Sequence, residues 1–260
     1  MSSGANYIAA VSMQTFEKQI AINTNNIGNA QTRGYKDYQA LIKDIGYQYE
    51  KGANNFADNM AEQGIQYGMG SSIASTVRLL TQGQLEGSSS QYDIAINGNG
   101  YFQILLSDGT IAYTKDGTFT LDKDRRVVTT EGNPLVPEII VPQETKSIII
   151  KDNGEVYADV DGQLEPQNIT QIQLAVFTNE NGLRSVGNNL QVVTDASGEP
   201  ILGYPGDDGF GRVKQSFYEG SNTNVLKNIM EINTASKIYA FLSKVIQQYG
   251  QMQDALNNRI

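Results

Sequence analysis

The chain has 260 residues, a formal net charge of −9 at pH 7, and no His, Cys or Trp. The missing Cys and His exclude a thiolate nucleophile, a disulfide, a Cys-ligated metal site and an imidazole general base. The acidic balance argues against a nucleic-acid partner or an anionic membrane surface, and no run of 18 apolar residues predicts a transmembrane helix.

A helical pattern opens the chain. Between about residues 6 and 27 there is neither Pro nor Gly, and apolar side chains recur every third or fourth residue, with Asn23 keeping the spacing. The apolar stripe contains Ala9, Met13, Phe16, Ile20 and Ile27. It predicts a helix with a coiled-coil-like face. The first six residues lack the basic and apolar regions of a Sec-type signal, so we expect no cleaved signal peptide.

The segment from Gly34 to Gly70 has no clear period. It is polar and carries Tyr35, Tyr38, Tyr47, Tyr49 and Tyr67. Tyr combines apolar area with a polar tip, which suits an extended arm that forms an interface. A structureless loop fits the same composition equally well.

The middle of the chain, from about Val77 to Leu202, has a β pattern. Short runs rich in β-branched and aromatic residues alternate with turn pairs, in which Asn or Asp precedes Gly. The turn pairs are Asp108-Gly109, Asp116-Gly117, Asn153-Gly154, Asp161-Gly162 and Asn181-Gly182. Turn signals at this spacing favour an all-β barrel or sandwich over βαβ units.

The C-terminal segment repeats the helical design. From Asn224 to Ile260 it contains one Gly and no Pro, and apolar residues again follow one another at three or four positions. This stripe contains Val225, Ile229, Ile232, Ala235, Tyr239, Leu242, Val245, Tyr249, Met252 and Leu256. Ser221 and Asn222 offer cap chemistry just before it.

These patterns predict an α+β multidomain chain. Its parts are paired coiled-coil-like helices at the two ends, an extended arm and a central all-β domain. The expected boundaries are 1–33 for the N-terminal helix, 34–76 for the arm, 77–204 for the β domain, 205–221 for a return through the linking region, and 222–260 for the C-terminal helix. Two interpretations of the terminal helices remain. The plainer one is a helical hairpin packed on a globular core. In the other, the terminal helices contact each other and neighbouring copies of the chain.

Sequence motifs for catalysis or ligand binding are missing. Gly98-Asn99-Gly100 lacks the third Gly of a dinucleotide fingerprint, and Asp122-Lys123-Asp124 lacks the Gly and the distal Glu of a calcium loop. No nucleophile elbow or phosphate-binding loop is present. Hydrolysis by paired carboxylates remains open chemically, but we expect a protein that is not an enzyme and uses no cofactor or metal.

Four blocks together resemble the bacterial flagellar rod and hook proteins. They are residues 25–36, residues 81–85 with 93–102, residues 113–119 with 122 and 127–129, and residues 219–225. The first block corresponds to the N-terminal signature of the family, which here contains Asn25, Asn26, Asn29, Thr32, Gly34 and Tyr35. Arg125 and Arg126 stand near a place where the family usually has Gly. Residues 41–48 and 64–70 resemble the extended segment of the distal rod proteins within this family.

The resemblance implies a structural subunit that polymerises helically into the distal rod, the tubular shaft that transmits motor torque to the hook. It also implies neighbouring proximal rod and hook subunits, bushing rings, and export through the flagellar apparatus into a periplasmic rod, without membrane insertion. We expect an assembly interface at Met13, Phe16, Ile20, Ile27, Ile229, Ile232, Tyr239, Leu242 and Val245. The alternatives are another axial subunit, such as the proximal rod or hook, and an extracellular β-rich binding protein.

Overall fold

The computed structural model describes residues 2–50 and 65–257, and the chain divides into two units that are each assembled from segments distant in sequence. The helical unit takes Met1–Gly28, Tyr38–Arg78 and Asn224–Ile260. The β unit takes Asn29–Asp37 and Leu79–Thr223. Residues 51–64 of the predicted arm and residues 258–260 of the predicted C-terminal helix lie outside the described residues.

The helical unit contains two long helices, α1 (Ser2–Gly28) and α2 (Val225–Asn257), which contact each other. Its strands are β1 (Tyr38–Asp44), β2 (Tyr47–Glu50), β3 (Ile65–Gly68) and β4 (Ser71–Arg78). Strand β1 pairs antiparallel with β4, and β2 pairs antiparallel with β3. Helix α1 packs on β1 and β4. The prediction of a helix at each end of the chain is confirmed.

The cap of α2 differs from the prediction. The Oδ1 of Asn224 accepts a hydrogen bond from the backbone amide of Lys227 at 3.0 Å, which is the geometry of an N-cap. Ser221 and Asn222 therefore do not cap this helix. The helix starts at Val225, directly after Asn224, so Asn224 rather than Ser221 or Asn222 holds the capping position.

The β unit contains sixteen strands among the described residues. They are β5 (Leu85–Gly87), β6 (Ile94–Asn97), β7 (Tyr101–Leu105), β8 (Ile111–Thr114), β9 (Phe119–Leu121), β10 (Val127–Thr129), β11 (Leu135–Val136), β12 (Thr145–Ile150), β13 (Glu155–Val160), β14 (Gln167–Gln171), β15 (Leu174–Val176), β16 (Arg184–Gly187), β17 (Leu190–Val192), β18 (Ile201–Gly203), β19 (Arg212–Gln215) and β20 (Phe217–Glu219). The pair Asn181-Gly182 lies in a short 3₁₀ helix, Glu180–Gly182, rather than in a hairpin.

The largest sheet of the β unit has seven strands. Its order is β16-β17-β8-β7-β15-β18, and β11 also pairs with β7. A three-stranded sheet joins β12, β13 and β14, and the pairs β9–β10, β6–β19 and β5–β20 complete the unit. The large sheet ends at β16 and β18, so the described strands form no closed barrel and that form of the prediction is wrong. The sandwich-like form stays a prediction.

The larger of two apolar core clusters supports these sheets. Strands β6 and β7 supply Ile94, Ile96, Phe102 and Ile104, each at most 1% exposed. Phe102 and Phe119 meet edge to face with ring centroids 5.2 Å apart. Burying an aliphatic or aromatic side chain of this size stabilises a fold by about 1.5–3 kcal/mol, so this core is large enough to hold the many short strands together.

A tight turn between β9 and β10 explains the departure at Arg125. The backbone of Arg125 has a φ of +62°, the left-handed region in which Gly has no Cβ penalty. Asp122 Oδ1 accepts hydrogen bonds from the amides of Asp124 and Arg126, and Arg125 Nε donates to the Val141 carbonyl at 2.9 Å. These bonds hold a conformation that costs a non-Gly residue about 1–2 kcal/mol.

Asp116, in the turn that follows β8, gives a pH-dependent prediction. Burial raises the pKa of Asp116 above its ordinary value, although hydrogen bonds from Thr118 and the charge of Arg33 oppose the shift. Because the folded state then binds a proton more readily than the unfolded state, stability falls as pH rises from the unfolded pKa of about 3.9 through the folded pKa. We expect Asp116→Asn to stabilise the β unit at pH 7 and to lose this advantage below pH of about 4.

Urea unfolding of Asp116→Asn and wild type at the two pH values checks this prediction. Asp108→Asn is the matched control, because a hydrogen bond from the Thr110 amide lowers the pKa of the exposed Asp108. Its substitution is expected to have the opposite sign at pH 7. Equal stabilities of Asp116→Asn and wild type at both pH values would contradict the assignment.

Candidate functional site

The predicted assembly residues of α1 line the margins of its buried face. The most buried side chains of α1 are small or polar, and Met13, Phe16, Ile20 and Ile27 are half-buried. The buried set comprises Ala9, Ser12, Thr15, Asn23 and Asn26. Small side chains allow backbones to approach closely, and Thr15 Oγ1 donates to the Ser71 carbonyl on β4 at 2.7 Å. The periodicity predicted the helix and placed Ala9 and Asn23 on its stripe, but it did not identify Ser12, Thr15 and Asn26 as buried.

On α2 the predicted residues divide into two groups. Ile232 and Leu242 are half-buried, and Ile232 lies on the same face as the buried Asn228 and Ala235 because the three are spaced by four and three residues. The other three predicted residues are exposed: Ile229 to 42%, Tyr239 to 37% and Val245 to 45%. The nine predicted residues therefore differ in how exposed they are within a single chain, and their role in assembly stays a prediction.

An apolar groove lies within the helical unit. It has a volume of about 460 Å³ and is lined by Phe16 of α1, Ile42 of β1, and Met230, Ala235 and Ile238 of α2. Met230, one of the lining residues, is 63% exposed. The groove brings the predicted residue Phe16 beside apolar side chains that the prediction did not include.

Three residues form what we call the amide cluster of the helical unit: Asn26, Tyr38 and Asn228. Asn26 is fully buried, and its Nδ2 donates to the Tyr38 carbonyl at 2.8 Å and to Asn228 Oδ1 at 3.1 Å. The Tyr38 amide donates to Asn26 Oδ1 at 3.0 Å. Asn26 thus satisfies both backbone polar groups of Tyr38, which explains why this motif position holds an Asn amide, a side chain with donor and acceptor together.

In the β unit a buried ion pair lies beside the motif. Lys36 Nζ and Glu219 Oε1 are 2.5 Å apart, and their side chains are 4% and 1% exposed. Lys36 Nζ also donates to the Thr81 carbonyl at 2.9 Å, and Glu219 Oε1 accepts from the Gly83 amide at 2.7 Å. A buried charge is tolerated when it is paired and hydrogen-bonded in this way.

Asn222 connects the same segments of the β unit. Its Oδ1 accepts from the Asp37 amide at 2.7 Å, and its Nδ2 donates to the carbonyls of Leu79 at 2.7 Å and Thr81 at 2.8 Å. Lys36, Asp37, Thr81, Glu219 and Asn222 together are called the junction cluster below. Its members come from three segments that are more than 40 residues apart in sequence.

The remaining motif residues shape the turn that follows α1. The Thr32 amide and hydroxyl donate to the carbonyl and Oδ1 of Asn29, both at 3.1 Å, and the Tyr35 amide donates to the Thr32 carbonyl. Tyr35 is buried and Asn25 is exposed. Residues 29–37 therefore carry the motif into the β unit as a hydrogen-bonded turn.

A second contact holds this turn in the β unit. Arg33 Nη1 lies 3.3 Å from Asp93 Oδ2 and 3.0 Å from Thr118 Oγ1, and its guanidinium stacks on the Tyr218 ring with 3.9 Å to the centroid. Asn189 Nδ2 donates to the Arg33 carbonyl. Sequence reasoning assigned no role to Arg33 or Glu219, and it assigned Asn222 to the helix cap instead of to this cluster. Polar residues within the resembling blocks were the available signal, but their partners are too distant in sequence to be inferred from spacing.

Two glycines of the first block give contrasting predictions. Gly34 has a φ of +68°, and a Cβ there would lie 2.7 Å from the Asp116 amide nitrogen, whereas Gly28 in α1 has open space around it. We expect Gly34→Ala to lower the free energy of unfolding of the β unit by more than about 2 kcal/mol, from backbone strain plus overlap. Gly28→Ala should stabilise α1 slightly, because Ala is the better helix former. Thermal unfolding of the two variants checks the pair, and equal effects would contradict it.

The described residues contain no group of three Asp or Glu side chains placed to hold a metal ion. Neither of the helices in that part of the chain is long and apolar enough to cross a lipid bilayer.

Comparison with known proteins connects this geometry to a family. Residues 95–158 match the family described as the flagellar hook protein FlgE/F/G D1 domain, and residues 214–259 match the flagellar basal body rod FlgEFG protein C-terminal family. The first match covers most of β6, strands β7 to β12 and part of β13, and the second covers the junction residues 219 and 222 and all of α2.

Full-length relatives agree with these matches. The chain is 37% identical to the flagellar basal-body rod protein FlgG of Buchnera aphidicola subsp. Acyrthosiphon pisum, over 96% of this chain and 97% of the relative. It is 36% identical to FlgG of Borreliella burgdorferi over 97% of each chain, and 38% identical to FlgG of Caulobacter vibrioides over 95% of each. This chain therefore belongs to the FlgG family of flagellar basal-body rod proteins and is a structural subunit of the flagellar rod.

Proposed function

We propose that this subunit polymerises helically into the distal rod, the part of the shaft that transmits motor torque to the hook. The observation that carries the proposal is the similarity to FlgG rod proteins over nearly the whole of each chain. Helical growth needs a heterologous surface that repeats along the polymer. The exposed Ile229, Tyr239 and Val245 on α2 support such a surface, since exposed apolar stripes commonly mark interaction sites.

The two helices would form the inner layer of this polymer by coiled-coil-like pairing. Their apolar residues Met13, Phe16, Ile20 and Ile27 on α1 and Ile232 and Leu242 on α2 are half-buried in the single chain, so a neighbouring copy has further apolar area to cover. The β unit would form the outer layer. The arm, including β1 and β4, would brace neighbouring copies, and its exposed Leu41 and Ile42 support that role.

The wider setting follows from the same proposal. The rod would lie in the periplasm, reached through the flagellar export apparatus, with proximal rod and hook subunits as axial neighbours and bushing rings around it. Its role would be structural rather than enzymatic. Another axial position is the second candidate, because the matched family of residues 95–158 includes hook as well as rod proteins.

Electron cryo-microscopy of basal bodies from the organism that carries this gene tests the proposal. Density for this chain in the tube next to the hook, with α1 and α2 on the inner wall, is the expected result. Density only in the hook or the proximal rod would support the second candidate. Absence from the axial structure would overturn both.

A further inference from the structure

One side of helix α2 carries a row of exposed apolar side chains. Leu226, Met230, Phe241 and Met252 are each at least 60% exposed, and Val245 is 45% exposed. In chain order the five residues are separated by 4, 11, 4 and 7 positions, which are close to whole turns of 3.6 residues. They therefore lie on one face of the helix, and we call them the apolar row.

The apolar row faces away from the buried side of α2. Asn228 is 2% exposed and stands two positions from both Leu226 and Met230, and a step of two residues turns a helix by about 200°. From Leu226 to Met252 the row extends about 39 Å, at about 1.5 Å per residue. An exposed apolar surface of this length is typical of a protein interface.

The apolar groove of the helical unit adjoins this row. Met230 belongs to both, and Phe16 of α1 and Ile42 of β1 line the groove from the other elements. Ile42 is exposed, so the groove opens at the surface of the unit. Its volume of about 460 Å³ accommodates a Phe side chain together with part of its neighbours.

A second copy of the chain offers what the groove lacks. Phe241 lies eleven positions beyond Met230, about 16 Å farther along α2, so each copy presents a groove and, at a different place, an exposed aromatic side chain. A contact between two different patches of identical chains is heterologous and leaves both patches available at the ends of the assembly. Such a contact repeats along a polymer.

Charges favour the groove over a second apolar row as the partner of Phe241. Lys237 and Lys244 flank Phe241 at i−4 and i+3, and both are exposed. Two rows packed on each other with Phe241 at the centre would bring the lysines of both copies together, whether the helices ran parallel or antiparallel. The groove instead contains Glu231, whose contact with Lys227 is long at 3.8 Å. Phe241 in the groove thus brings a lysine toward a carboxylate.

We propose that Phe241 of one copy binds in the apolar groove of a second copy, where Lys237 faces Glu231 of that copy. This inference rests on the proposed helical polymerisation and deepens it by naming a contact that repeats. All of its residues belong to the helical unit.

Photo-crosslinking in assembled rods tests the contact. Phe241→p-benzoyl-phenylalanine keeps an aromatic ring, and irradiation links its ketone carbon to a carbon atom that touches it. Basal bodies are isolated from cells in which this variant is the only copy, and they are then irradiated. We expect chains linked to other chains, with the link mapped by mass spectrometry to Phe16, Ile42 or Met230.

The matched control is Ser236→p-benzoyl-phenylalanine, at an exposed position about 140° around α2 from Phe241. It should give no link to the groove residues. A link from position 241 of one copy to position 241 of another, or no link between copies, would overturn the proposed contact.

Charge reversal decides instead if the photoreactive variant builds no rods. Glu231→Lys should lower the number of rods per cell by about tenfold, because like charges across an interface oppose association. Glu231→Lys/Lys237→Glu should restore most rods. Glu231→Lys/Lys123→Glu has the same net charge but changes an exposed lysine of the β unit, and should restore none. Equal numbers of rods in the two double variants, or an unchanged number in Glu231→Lys, would overturn the contact.

Failure of the contact and failure of the proposed function are distinguishable. If the wild-type chain restores no rods to cells that lack their own copy, the proposed function fails. If wild type and the photoreactive variant both build rods but position 241 forms no link to the groove, the function stands and the contact alone is wrong.

Discussion

Ile232→Asp is expected to abolish rod formation while the β unit stays folded. Ile232 is half-buried and lies between Asn228 and Ala235, both 2% exposed, on one face of α2. A carboxylate placed on that face loses its hydration when a helix packs over it, and an unpaired buried charge costs several kcal/mol. The β unit contains no part of α2, so its own core is unaffected.

The matched control is Asn233→Asp, which adds the same charge one residue away on the exposed face. Rods are counted by electron microscopy in cells that express each variant as their only copy, and far-ultraviolet circular dichroism of the purified chains reports folding. Normal rods with Ile232→Asp would show that this face is not part of the assembly surface. Loss of rods in both variants would point to net charge as the cause.

Glu219→Ala is expected to lower the free energy of unfolding of the β unit by about 3–5 kcal/mol, the cost of breaking a buried ion pair from one side. The Lys36 ammonium, 4% exposed, would keep only the Thr81 carbonyl as a partner, and the Gly83 amide would lose its acceptor. Such a loss is a large fraction of the 5–15 kcal/mol by which domains are stable.

Two comparisons identify burial as the cause. Lys36→Met/Glu219→Leu should recover much of the loss, because removing both charges leaves no unpaired ion. Asp161→Ala breaks the Lys146–Asp161 pair, which is as close at 2.6 Å but 61% and 66% exposed, and should change stability by less than about 0.5 kcal/mol. Urea unfolding followed by Tyr fluorescence provides all four values. A Glu219→Ala loss as small as that of Asp161→Ala would contradict the expectation.

Sequence patterns predicted the helices and turns of this fold because each of these elements depends on residues that are close together in sequence. The recurrence of apolar residues every 3–4 positions predicted both terminal helices, and dipeptides such as Asp108-Gly109 predicted turns. Gly109 has a φ of +84°, and Asp108 Oδ1 accepts from the Thr110 amide, as such a turn requires. Asn181-Gly182 shows the limit, since the same kind of dipeptide lies in a 3₁₀ helix.

The polar clusters could not be predicted in the same way. Lys36 and Glu219 are 183 positions apart, and Asn26 and Asn228 are 202 apart, so no spacing rule relates them. Ser12, Thr15 and Asn26 on the buried face of α1 were also missed, because they are buried through close approach and hydrogen bonding rather than through apolar character. The first block was noticed for its Asn and Gly residues, but their partners appear only in three dimensions.

The hydrogen bond between Asn26 and Asn228 has a consequence for how the two ends of the chain find each other. Sliding α1 along α2 by one turn, about 5.4 Å, would keep apolar residues roughly opposite apolar residues but separate these two amides. Asn26 would keep its bonds to Tyr38, so the slip costs the one hydrogen bond between the two amides, about 0.5–1.5 kcal/mol. A single polar pair therefore discriminates the native alignment of the helices from its slipped neighbours, as an Asn at a core position does in coiled coils.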